Sequence, residues 1–320
     1  MATSSSSTTP PLGKYLASTD KKTRDKAIKN LSLFFSDSSQ NAITKADMTK
    51  LWKGIFYCFW MSDKPLVQQA LASELAEITL TITSTPVALN FLRGFWETTV
   101  REWNGIDRLR IDKYYMLVRR FVNSAFRLLI REEWESSVCE EYNNILVTVG
   151  GPLCPTDIRV PSGLAYHLAD IYVEELDNAL SESSTPDCTL LPAPLGTVLT
   201  PFLALAAQTT TNTTYKRIQS ALLDPLLTAL SSTLRGGEEP SRKRMRFSDD
   251  SSPYPTLISN ACLEDPTAEG KVDGAVLRKR VLRKVFDIAS QPETRDYSRR
   301  RMYKLWKEDA AEDEDDSERD

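Results

Sequence analysis

WNGIDRLRIDKYYMLVRRFVNSAFRLLI, residues 103–130, decides the fold class of this 320-residue chain. With Ile111 set at zero and 100° per residue, Tyr114, Tyr115, Val118, Val122, Ala125, Phe126 and Leu129 fall within about 60° of one line. Lys113, Arg120, Arg127 and Arg131 fall within roughly 20° of the opposite pole. Such a segment is an amphipathic helix. One side suits a core, and the other is a cationic stripe for solvent or for an anionic partner.

Toward the N-terminus the same period recurs. Asp20 opens a helix that buries Ala27, Ile28, Leu31, Phe34 and Phe35. Thr44 opens the next, with Asp47 in a capping-box position and Met48, Leu51, Trp52, Ile55, Phe56 and Phe59 on its apolar side. Pro65 and Pro86 fit the first turns of two more, the second carrying Val87, Leu89, Leu92, Phe95 and Trp96. Starts near 20, 44, 65, 86 and 107 make helix pairs recur every 42 to 45 residues, within the roughly 40–47 range of HEAT and armadillo repeats. Further helices are expected near 132–148, 163–180, 195–208 and 213–234, with Asp224-Pro225 kinking or dividing the last. The fold expected is all-α, a HEAT/armadillo-like α-solenoid, with an irregular helical bundle as the other candidate.

Toward the C-terminus the composition changes. GGEEPSRKRMRFSDDSSPYP lacks an apolar period and is full of breakers. The expected organisation is a disordered N-terminus (1–13), a helical-repeat domain (14–234), a flexible linker with a basic cluster (235–268), basic C-terminal helices (269–307) and an acidic disordered tail (308–320). Between 276 and 289, Leu277, Val281, Leu282, Val285, Phe286, Ile288 and Ala289 share one half of a wheel, while Lys279, Arg280, Arg283 and Lys284 share the other. The tail carries nine acidic residues and one Arg, a net of −8, beside a net of +7 over 269–307. The overall charge of −4 therefore conceals a basic region.

Several function classes are disfavoured. Twelve Gly argue against phosphate-binding Gly loops, and neither G-x-x-x-x-G-K-[ST] nor H-E-x-x-H occurs. The five cysteines stand apart, which suits buried thiols in a reducing compartment and not zinc or disulfides. His167, the single histidine, has no nucleophile spaced to pair with it, and Asp170, Glu174 and Glu175 read as an acidic helix face. No catalytic residue, metal or cofactor is expected. Neither a signal peptide nor a membrane helix is expected, since the apolar run 195–207 is shorter than the ~20 residues a span needs. A soluble intracellular protein, with no membrane and no small-molecule substrate among its partners, is the expectation.

The candidate sites are cationic. Arg242, Lys243, Arg244 and Arg246 form an accessible cluster of the kind importin reads, with Ser248 and Ser252 as candidate phosphosites beside it. Lys113, Arg120, Arg127 and Arg131 on one helix, and Lys279, Arg280, Arg283, Lys284, Arg299, Arg300 and Arg301 further on, are candidates to track RNA phosphates or to dock a partner. Tyr297, Tyr303 and Trp306 interleave with the last of these and could stack on bases, or else pack the last helix onto the body. Charge reversal at Lys113, Arg120 and Arg127 is expected to leave the fold intact.

Two strings, WMSDKP (60–65) and GIDRLRIDKYY (105–115), together with GLAYHLADIYVEEL (163–176), make the chain resemble the eukaryotic ribosomal RNA-processing protein 1 family. The resemblance runs from about 14 to 180 and returns over 276–306. It implies a nucleus- and nucleolus-resident, non-enzymatic factor of precursor-60S large-subunit assembly and rRNA processing. The implied partners are precursor ribosomal RNA and other assembly factors, including a Brix-domain protein. A helical-repeat adaptor that binds only proteins, of import or chromatin type, is the alternative.

Overall fold

Capping chemistry sets the helix boundaries. In the computed structural model, which describes residues 12–36, 43–184, 190–231 and 253–317, the chain is all-α apart from one two-stranded pairing. Two compact units divide it, residues 1–125 and 126–320, where the sequence suggested one repeat domain and separate C-terminal helices.

The first unit contains α1 (Leu12–Leu16), α2 (Lys21–Ser36), α3 (Lys45–Trp60), α4 (Pro65–Thr81) and α5 (Thr85–Glu102). It also contains most of α6 (Ile111–Arg131). The Asp20 carboxylate accepts the Thr23 N–H at 2.9 Å. Thr44 Oγ1 accepts the Asp47 N–H at 3.1 Å and donates back to the Asp47 carboxylate at 2.8 Å. Pro65 and Pro86 sit in first turns, where no N–H is needed. Helix α2 packs on α4, and α3 on α5, so each helix meets the next but one as in a solenoid.

The core of this unit is aromatic. Trp52 lies 4.6 Å from Phe91 and 5.5 Å from Phe95, ring centre to ring centre, and Phe95 stacks on Phe121 at 3.9 Å. Helix α6 begins at Ile111, later than expected. Asp107 folds a turn ahead of it, with its side chain accepting the Leu109 N–H and its carbonyl accepting the Arg110 and Ile111 N–H groups.

The second unit holds α7 (Ser136–Val147), α8 (Ser162–Ser183), β1 (Ala193–Pro194), α9 (Leu195–Gln208), α10 (Asn212–Ile218) and α11 (Asp224–Ser231). After these come α12 (Pro255–Ser259), β2 (Ala261–Cys262), α13 (Pro266–Glu269), α14 (Gly274–Ser290) and α15 (Asp296–Ser317). Pro201 and Pro225 lie past the first turn of continuous helical stretches, and each leaves a trace. Pro201, inside α9, cannot donate to the Thr197 carbonyl, and Asn143 Nδ2 takes that acceptor at 2.8 Å. Ahead of Pro225 the helix widens into a π turn (Gln219–Leu223), with the Asp224 N–H reaching back to the Gln219 carbonyl.

Three expectations are corrected here. Residues 253–268 are not linker: β2 pairs in parallel with β1, Leu257 and Cys262 are fully buried, and Asp177 accepts the Leu257 N–H at 2.7 Å. The breakers there cap short elements, as Asp265 does for α13. The helices over 269–307 are part of this unit too, with α14 packed on α9 and α11, and α15 packed on α14 and α9. The acidic run continues α15 through Ser317, where Ala and Glu favour the helix and Lys304 pairs with Glu308 at 3.4 Å. Residues 1–11 and 232–252 lie outside the described residues, and with them Arg242, Lys243, Arg244, Arg246, Ser248 and Ser252.

Candidate functional site

The two most distinctive strings of the sequence meet in space. Helix α3 ends at Trp60 and Met61, leaving carbonyls with no helical partner. Lys113, in the first turn of α6, donates from Nζ to the Trp60 carbonyl at 2.7 Å and to the Ser62 carbonyl at 2.8 Å. Gln68 Nε2 donates to the Ser62 carbonyl as well, at 2.8 Å. Tyr114 stacks on Phe56 at 4.9 Å and donates to the Phe56 carbonyl at 3.2 Å. The Arg110 guanidinium lies 4.9 Å over the half-buried Trp60 ring and is paired with Asp107. WMSDKP and GIDRLRIDKYY are thus the two halves of one junction.

That junction corrects the reading of Lys113. The residue is only 5% exposed and is no part of a surface stripe. The buried arc of α6 centres on Tyr114, Leu117, Phe121 and Leu128, some 60° or more round from Ile111, so its edge takes in Lys113. Burial pushes the Lys113 ammonium down to about 8, against the upward pull of Asp63. In the unfolded chain it titrates near 10.4. Between those values the unfolded state binds more protons, so Lys113 contributes stability that is complete above about 10.4 and lost as pH falls through about 8. The wild-type protein is expected to gain up to about 3 kcal/mol over Lys113→Met as pH rises across that window. Denaturant melts of both proteins at stepped pH check this; a constant difference between them would show a solvated ammonium.

The other candidates divide by what they already do. Arg120 and Arg131 are exposed on α6, the latter beside Glu132 at 2.9 Å, while Arg127 is half-buried and 3.9 Å from Glu182. On α14, Arg280 pairs with Glu269 at 2.9 Å and Lys284 with Glu264 at 2.7 Å, which fastens the segment after β2. Arg283 pairs with Asp287 and lies over Phe286, while Lys279 is exposed. Arg299 is structural, donating to the Ala289, Gln291 and Thr294 carbonyls at the end of α14. Arg300 is exposed. Tyr303 and Trp306 pack on Phe286, at 5.1 and 4.7 Å, and so belong to the helix–helix contact.

The groups that would suggest catalysis are otherwise engaged. Asp170 accepts from Arg217 at 2.6 Å, and Glu175 is buried. Among the described residues no cluster of His, Cys, Asp or Glu is placed to hold a metal, and no helix is long and apolar enough to cross a membrane. Cys58, Cys139, Cys154 and Cys262 are buried free thiols, and desolvation pushes Cys139 and Cys262 up to about 12.

Two features escaped the sequence reading. One is a cleft of about 650 Å³ in the second unit, between the loop 152–162, the α9–α10 turn and the α14–α15 loop. Its Asp157 is held near 2 by Arg159 and by backbone N–H groups. The other is Tyr215, whose ring faces Arg301 at 5.4 Å. Neither has a local signal, because both arise where segments far apart in sequence converge.

Known proteins share this sequence pattern. The family model described as "Nucleolar protein, Nop52" matches residues 7–260. A human protein called ribosomal RNA processing protein 1 homolog A is 29% identical over 92% of this chain and 68% of its own length. The human homolog B is 34% identical over 66% of this chain and 27% of its own. The mouse homolog A is 35% identical over 62% of this chain and 39% of its own. The chain thus spans about a quarter of one human relative and about two thirds of the other.

Proposed function

The chain belongs to the Nop52 family of nucleolar proteins, and from that premise we propose that it is a non-enzymatic scaffold for ribosomal RNA processing. Its relatives are named for ribosomal RNA processing, and this reading carries that role to the present chain. It works in the nucleolus on large-subunit precursors, holding pre-rRNA and assembly proteins, a Brix-domain factor among them, in an arrangement that other molecules cleave. Entry into the nucleus runs through importin, on the cluster Arg242, Lys243, Arg244 and Arg246.

The observation that supports an RNA-facing role is that some of the candidate cations lie at the surface. Lys113 and Arg299 cap helices, whereas Arg120, Arg131 and Lys279 stay exposed. Exposed guanidinium and ammonium groups with no part in the core suit phosphate contacts that read charge and shape, not sequence.

The triple variant Arg120→Glu/Arg131→Glu/Lys279→Glu is expected to melt like the wild type, because surface substitutions of this kind stay within about 0.5 kcal/mol. It should leave the RNase-sensitive precursor particles on a sucrose gradient. With about three phosphates tracked, log affinity for precursor RNA should fall against log salt with a slope of about −2 to −3, and the variant should lose most of it. Unchanged sedimentation together with unchanged RNA affinity would reject the assignment. Wild-type protein that sediments only in RNase-insensitive protein complexes would make it a protein-only adaptor.

A further inference from the structure

One cation of α15 is placed differently from the rest. The Arg301 guanidinium sits over two tyrosine rings, 5.4 Å from the centre of Tyr215 and 4.5 Å from that of Tyr297. The two rings differ in exposure. Tyr215 is 1% exposed and belongs to the body of the second unit, while Tyr297 is 47% exposed. Buried ring, guanidinium and exposed ring therefore form a column that ends in water. A solvent-facing tyrosine usually samples several rotamers; the guanidinium over this ring favours the one that keeps the contact.

The surroundings of the column supply its chemistry. Tyr297, Arg300, Arg301 and Lys304 stand at i, i+3, i+4 and i+7 of one helix, so they share a face. Arg300 and Lys304 are exposed, and Glu308, an exposed partner of Lys304 at 3.4 Å, is the acidic member of that face. A flat aromatic surface with two exposed cations beside it is the arrangement that takes one base on the ring and the neighbouring phosphates on the cations. Bases inside an A-form duplex are stacked on each other and cannot reach a single ring on a helix face.

We propose that the outer face of Tyr297 is a stacking platform for an unpaired nucleotide of RNA. Arg301 positions the ring, and Arg300 and Lys304 hold the flanking phosphates. The inference rests on the RNA-facing role above but uses none of the residues of its triple variant. Failure of one is therefore separable from failure of the other.

The test is fluorescence anisotropy with the full chain, using a labelled 12-nucleotide single-stranded RNA and a matched duplex. Tyr297→Ala should weaken the single strand roughly 5- to 150-fold and leave the duplex unchanged, as expected for the loss of one base–aromatic stack. Tyr297→Phe should bind like the wild type. Arg300→Ala/Lys304→Ala should lower the magnitude of the salt slope for the single strand by about 1.4. All variants should melt like the wild type, because these side chains are half-exposed or exposed. Equal single-strand affinity for Tyr297→Ala and wild type would overturn the proposal, as would equal losses on single strand and duplex. Intact RNA binding with loss of one assembly protein from the complex would overturn it too, giving the column to a protein partner.

Discussion

Lys113→Glu is expected to destabilise the first unit by about 3–5 kcal/mol, although by helical wheel it is a surface substitution. The carboxylate would replace an ammonium that is 5% exposed and would face the Trp60 and Ser62 carbonyl oxygens. Those oxygens lose their donor and gain a negative neighbour in a site closed to water. In a chain of this size such a loss lowers the melting temperature by on the order of 10 °C. Arg120→Glu, on the exposed side of α6, is the control and should melt within error of the wild type. Differential scanning calorimetry of the two variants decides the matter. Equal melting temperatures would return Lys113 to solvent.

Trp52→Ala should cost about 3–5 kcal/mol, the range for truncating a buried large aromatic. The ring is 2% exposed and lies among Phe91, Phe95 and Phe121, which leaves the surrounding helices little freedom to collapse into the gap. The same contact can be probed from the other side. A Cβ at Gly94 would lie 2.2 Å from Trp52 Cδ1 and 2.5 Å from Nε1. Gly94→Ala, which in an exposed helix would add about 1 kcal/mol of stability, should therefore destabilise here by about 1–3 kcal/mol. Urea melts of the singles and the double variant should show strong coupling, with the double less destabilised than the sum. Additive effects would mean the two residues do not touch.

These cases show which part of the fold the sequence makes legible. Helix starts at Asp20 and Thr44 were readable because capping is a contact within four residues, and those at Pro65 and Pro86 because a first turn needs no N–H there. The bounds of α9 and the apolar side of α14 were readable from the period of their apolar residues, which is also local. Lys113 was misread because its partners lie more than fifty residues away, and periodicity carries no record of them. The segment 253–268 was misread likewise: Pro, Asp and Ser look like linker until β1, nearly seventy residues earlier, supplies the pairing. The candidate site suffered most, because a basic residue that caps a helix and one that stays at the surface have the same local spelling. Arg299 and Arg300 are neighbours with opposite fates.

The pairing of β1 with β2 also has a consequence for how the chain tolerates change. Together with the seating of α14 on α9 and α11, it joins the helices before residue 232 to the elements after residue 252 through space as well as through the backbone. Covalent continuity across 232–252 is therefore redundant for the second unit. Lengthening that stretch adds loop entropy only logarithmically, about 0.6 kcal/mol per doubling, and severing it turns an intramolecular fit into a fragment-complementation problem. The basic cluster sits in that stretch. The nuclear-entry signal proposed for that cluster can therefore be edited, extended or masked while the contacts on either side of it stay the same.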